Sequence, residues 1–171
     1  MIMAKRRVFY SFHYKKDVMR VAQIRNIGAI EDNKPVSANE WQDVKNKGNA
    51  AIEKWIDDNM KCRSCVVVLI GEETAHRKWV KYEIKKAWNN RKGLLGIYIH
   101  NIKDPQLCKQ GYTGKSHKGD NPFEQFKLKD GTKLSEIVKC YNPLWFNAYN
   151  DIKENLEDWI EEAIEIRKQY K

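Results

Sequence analysis

Apolar positions along this chain recur first with the period of a strand and then with that of a helix, and the alternation lays out its elements. R-V-F-Y-S-F-H, residues 7–13, is a short β-rich run and reads as a first strand. Asp17 is placed to cap a helix through Gly28 with Val18, Val21, Ala22 and Ile24 on its apolar side. Residues 29–40, with Pro35, read as loop or a weak strand. Trp41, Val44, Ala51, Ile52, Trp55 and Ile56 then follow helical spacing over 41–59. C-R-S-C-V-V-V-L-I-G, ending at Gly71, is a continuous β-branched run of the kind buried on both faces, hence a central parallel strand.

After that strand, R-K-W-V-K-Y-E-I-K-K-A-W (77–88) is amphipathic, and G-L-L-G-I-Y-I-H (93–100) is another buried strand, so the three form a right-handed crossover. Residues 101–135, rich in Gly, Lys, Asp and Pro, predict a long surface loop with little regular structure. I-V-K-C-Y-N-P-L-W-F is a strand candidate that Pro143 confines to an edge. A last amphipathic helix carries Ile152, Leu156, Trp159, Ile160, Ala163 and Ile166. The alternation predicts one α/β domain over 1–171: a flavodoxin-like three-layer α/β/α fold around a parallel sheet of about five strands.

One residue breaks the pattern. At about 100° per residue, Trp79, Glu83, Ala87, Val80, Ile84 and Trp88 share one half of the 77–88 helix, so a carboxylate stands among apolar side chains. Ligands of such sheets bind outside the carboxyl ends of the strands, where this helix begins. Glu83 is therefore expected at the rim of a crevice, ionised and available for chemistry.

Composition narrows the choice. Lys and Arg number 32 against 23 acidic residues, a net charge of +9 that suits an anionic partner, but the basic residues are spread evenly, which argues against a nucleic-acid module. The start lacks an apolar signal segment and no run is long enough for a bilayer, so the expected compartment is the cytoplasm, without membrane attachment. The four Cys fit a reducing compartment. Cys62 and Cys65 have no second ligand pair and the His residues are scattered, so no metal is expected. G-Y-T-G-K-S (111–116) misses the phosphate-loop spacing because Lys109 stands where the first Gly belongs. The central strand ends in Leu69, Ile70, Gly71 with no phosphoacceptor Asp, and the turn S-F-H-Y-K-K-D lacks the glycines of a dinucleotide fold.

V-F-Y-S-F, the central strand and the Trp-x-x-x-Glu of W-V-K-Y-E resemble a Toll/interleukin-1 receptor (TIR) domain. With A-K-R-R-V-F-Y-S-F-H-Y, the R-N pair at Arg25 and Asn26, and V-L-I-G-E-E-T-A-H-R-K-W-V-K-Y-E-I, the chain is similar to the TIR-like proteins of bacterial Thoeris antiphage systems over about residues 4–100. The resemblance implies an enzyme with NAD as substrate and no separate cofactor. It would break the nicotinamide–ribose bond and make a cyclic or conjugated ADP-ribose that reaches an effector protein by diffusion, with a phage-derived trigger and self-assembly on activation. Glu83 would be the catalytic carboxylate, with Phe9, Ser11, Phe12, His13, Tyr14, Arg25, Asn26 and Trp79 around the dinucleotide. The plain alternatives are strand packing for Phe9, solvent exposure for His13 and Tyr14, and a structural helix end for Arg25 and Asn26. At the level of the whole protein the alternative is a non-catalytic TIR-type module acting by assembly.

Overall fold

The computed structural model describes residues 6–27 and 38–171. Its strands are β1 (Val8–Ser11), β2 (Cys65–Ile70), β3 (Gly93–Tyr98) and β4 (Cys140–Tyr141), and its helices α1 (Tyr14–Arg25), α2 (Ala38–Asn46), α3 (Asn49–Met60), α4 (Lys78–Asn89), α5 (Pro105–Lys109) and α6 (Ala148–Lys168). Among the described residues the sheet has four strands, in the order β1-β2-β3-β4, every pairing parallel. This is the predicted three-layer arrangement with one strand fewer than expected. The weak strand candidate at 29–40 falls mostly outside the described residues, and 38–40 open α2 instead.

The alternation within β2 sorts the core into its two layers. Cys65, Val67 and Leu69 face α1 and α6 with Val21, Ile24, Ile152, Leu156 and Ile160, whereas Val66, Val68 and Ile70 face α3 and α4 with Ile52, Ile56, Val80 and Ile84. All six residues of β2 are fully buried, as expected for a parallel strand covered on both faces. Gly93 lets α6 approach closely: a Cβ there would sit 2.8 Å from the Ile164 side chain.

Three expectations need correction. The helix after β1 begins at Tyr14, not Asp17. His13 takes the N-cap position with extended backbone, and Asp17 is buried in the first turn beside Arg20. The 41–59 helix is two helices, because Gly48 at φ 95° turns the chain between α2 and α3. Trp41 and Trp55 then pack across that turn, ring centroids 5.4 Å apart. Residues 101–135 are more than a surface loop: they hold α5 and two 3₁₀ turns, and Phe123 and Leu134 insert into the α3/α4 layer.

Arg20 fastens this segment to α1, its Nε donating to Ile102 O and its Nη2 to Gly114 O, both at 2.9 Å. At the carboxyl end of β2 the packing is tighter still. A side chain on Gly71 would overlap the Asp17 carboxylate, and one on Gly119 would overlap the Gly71 carbonyl. A backbone oxygen cannot swing aside, so Gly119→Ala should cost about 2 kcal/mol, read as a lowered urea midpoint at unchanged slope.

Candidate active site

The sharp turn from β1 into α1 and the start of α4 meet at the carboxyl edge of the sheet. Between them lies a cavity of about 430 Å³, within the range of small-molecule sites. Phe12, His13 and Tyr14 form one side, Trp79 and Glu83 the other. Phe9 and Ser11 project from β1 to the face that α4 covers, so they lie beneath the cavity instead of lining it. Ser11 is fully buried, and Phe9 packs in the core. Arg25 and Asn26, at the C-terminal end of α1, are not among the residues that line the cavity. Arg25 sits over the Tyr10 ring at 5.7 Å.

Glu83 lines the cavity beside Trp79 and is only 7% exposed. Glu83 thus lines the crevice as expected but is more buried than a rim position implies. Burial pushes its pKa up to about 8, and the neighbouring Ser11 hydroxyl opposes the shift. Neither Glu83 Oε2 nor Ser11 Oγ makes a hydrogen bond of full geometry. A pKa near 8 favours the protonated carboxyl at neutral pH, and its unpartnered oxygen is one that a ligand hydroxyl or a cation would satisfy.

The outer face of α4 is anchored while its inner face carries this buried carboxyl. Tyr82 Oη donates to Asp57 Oδ1 at 3.0 Å and Lys86 Nζ lies 3.2 Å from Asp57 Oδ2, clamping α4 to α3. Trp79 meets Tyr82 edge-on at 5.8 Å, with Lys78 Nζ 4.8 Å from its ring centroid. His13 is 6% exposed and its Nε2 is 3.6 Å from Glu73. Burial, then the nearby Arg77, lower its pKa and favour the neutral ring, with Glu73 pulling the other way.

Sequence reasoning missed part of the wall. Trp41 and Lys45 of α2 line the cavity, as do Lys15, His76, Arg77 and Lys78. Trp41 and Lys45 are four residues apart and so share a helix face, a signal hidden when 41–59 is read as one helix and Trp41 as core. The result is a buried carboxyl ringed by cations and aromatic rings, a combination suited to a ligand with both phosphate and planar groups.

The sequence match follows this architecture. Residues 9–104, from β1 past β3, match the family described as Thoeris protein ThsB, TIR-like domain. The chain belongs to the Thoeris ThsB TIR-like family. It is also similar to a protein of Bacillus cereus (strain MSX-D12) named "Putative cyclic ADP-D-ribose synthase ThsB1", 35% identical over 140 residues that cover 77% of this chain and 69% of that protein. The family match contains every side chain of the Glu83 cavity. Among the described residues, no helix is long and apolar enough to cross a membrane, and no group of three or more His, Cys, Asp or Glu residues could hold a metal ion.

Proposed function

We propose that this ThsB-family protein is an enzyme that takes NAD as substrate, breaks its nicotinamide–ribose bond and forms a cyclic or conjugated ADP-ribose. The observation that carries the reading is Glu83: a buried carboxyl with an orphan oxygen, lining a cation-rimmed cavity. The name of the Bacillus cereus relative points to the same product class.

The chemistry follows from charge. Bound nicotinamide is a cationic ring, and a cation beside Glu83 favours its carboxylate form, so substrate binding itself would ionise the group. As the bond between ribose C1′ and the ring nitrogen breaks, the electron pair leaves with neutral nicotinamide and positive charge builds on the sugar. The low-dielectric surroundings make the Glu83 carboxylate an effective stabiliser of that charge. Attack at C1′ by a nitrogen or hydroxyl of the same molecule closes a ring, whereas another acceptor gives a conjugate and water gives free ADP-ribose. Where the attacking group carries a proton, Glu83 can accept it and return to its resting form.

Lys15, Lys45, Arg77 and Lys78 would meet the pyrophosphate, and Trp41 and Trp79 offer planar surface. Lys45→Glu should raise KM roughly tenfold with a smaller change in kcat, because the charge it removes binds ground and transition states alike. A steady-state comparison of the two constants checks this. The product would act by diffusion on an effector protein, with a phage-derived component as trigger and self-assembly accompanying activation.

A second reading, a non-catalytic interaction module, is favoured by the exposed Leu144, Trp145 and Phe146. Mass spectrometry of small molecules from phage-infected cells distinguishes the two. A new ADP-ribose derivative that is absent with Glu83→Gln supports the enzyme, whereas biological protection retained by Glu83→Gln overturns it.

A further inference from the structure

A larger cavity, about 780 Å³, lies at the other edge of the sheet, where α4 and α6 end against residues 125–134. Its lining combines Lys85, Arg91, Lys127, Lys129 and Arg167 with a single acidic side chain, Asp130. Among the described residues, Lys85, Arg91, Lys127 and Lys129 have no carboxylate within ion-pair distance. Trp88, Phe126 and Tyr170 contribute aromatic surface to the same wall.

The simplest account of such cations is that they offset the negative ends of two helices. That explains Arg167. It is 5% exposed, donates from Nε and Nη2 to Trp88 O at 3.1 and 2.9 Å and from Nη1 to Tyr170 O, and stacks over the Trp88 ring at 4.2 Å. With those carbonyls already served, Lys85, Lys127 and Lys129 remain surplus to the helix ends. Arg91 adds a separate observation. It follows the α4 cap with φ 58°, and among the described residues it alone occupies positive φ without being glycine. A glycine would adopt that conformation without strain, so the position keeps a guanidinium at the cavity mouth against local backbone preference.

We propose that this cavity is a second ligand site, for a nucleoside polyphosphate: the phosphates on Arg91, Lys127 and Lys129, the base against the aromatic wall. The volume suits one small ligand. The lining from Gln125 onward lies beyond residues 9–104, so the site uses parts of this chain outside the family match. It stands independently of the role given to Glu83.

Isothermal titration calorimetry of the full chain, with ATP as probe and inorganic tripolyphosphate and a short single-stranded oligonucleotide as comparisons, tests this. Wild type should bind ATP, and more tightly than tripolyphosphate. K127E/K129E, at two exposed side chains, should weaken ATP at least about tenfold, while any NAD turnover persists. R91G should be at least as stable as wild type, since it removes positive-φ strain, yet bind ATP more weakly. The proposal is overturned if ATP does not bind at millimolar concentration, if K127E/K129E and R91G both bind it as wild type does, if tripolyphosphate binds as tightly as ATP, or if the oligonucleotide binds more tightly, which would make the surface a nucleic-acid site.

Discussion

Glu83→Gln should lower NAD cleavage by at least about a hundredfold, with wild-type circular dichroism and a wild-type chromatographic profile. Gln has nearly the same shape and still hydrogen-bonds ribose hydroxyls, so binding should survive. What it lacks is the negative charge that stabilises a developing oxocarbenium ion in a site screened from water. The pH profile carries a second signature. In the free enzyme Glu83 titrates near 8, so kcat/KM should rise with pH and level off above that value. In the proposed complex the cationic nicotinamide would lower the pKa, so the rise in kcat should fall at lower pH. Substantial turnover by Glu83→Gln, or a kcat/KM that is flat between pH 6 and 9, would show that ionised Glu83 is not the catalytic group.

The layers of this fold were legible because they rest on periodicity. The C-V-V-V-L-I run had to be covered on both faces, and the apolar stripe of α6 had to pack, whatever else the chain did. Glu83 was legible for the complementary reason: it violates a pattern that its own helix otherwise obeys. Its ionisation state was not, because that depends on how completely β1 and α4 exclude water around it, a tertiary quantity. The α2 wall was hidden by one residue, Gly48, whose positive φ divides an apparently continuous helix and swings Trp41 and Lys45 toward the site. Arg25 and Asn26 do not line the cavity. Their pairing in sequence says nothing of where the end of a helix lies relative to a cavity built at its start. Residues 101–135 looked featureless because an isolated Phe123 and Leu134 have no periodicity, yet both anchor that segment in the core.

Glu83→Gln should also make the protein more stable, in a pH-dependent way. In the unfolded chain Glu83 titrates near the ordinary value of 4.5, and in the folded protein near 8. Below 4.5 both states hold the proton and the group makes no difference. Between the two values the unfolded chain releases its proton while the native state retains it, so wild type loses about 1.4 kcal/mol per pH unit. Above 8 both states are ionised and the loss levels off. At pH 7 the accumulated cost is about 3 kcal/mol, and burying the Gln amide reclaims part of that, leaving a net gain on the order of 1 to 3 kcal/mol. For a chain of this length that is a rise in melting temperature of several degrees. Melting curves of both proteins from pH 4 to pH 9 decide it: the gap should open through neutral pH and stop widening above about pH 8. A gap independent of pH would mean that the Glu83 carboxyl is hydrated and ionised in the native state. The gain would come at the residue proposed as the catalytic carboxylate, because the desolvation that makes it costly to bury would also give its charge leverage on a bound sugar.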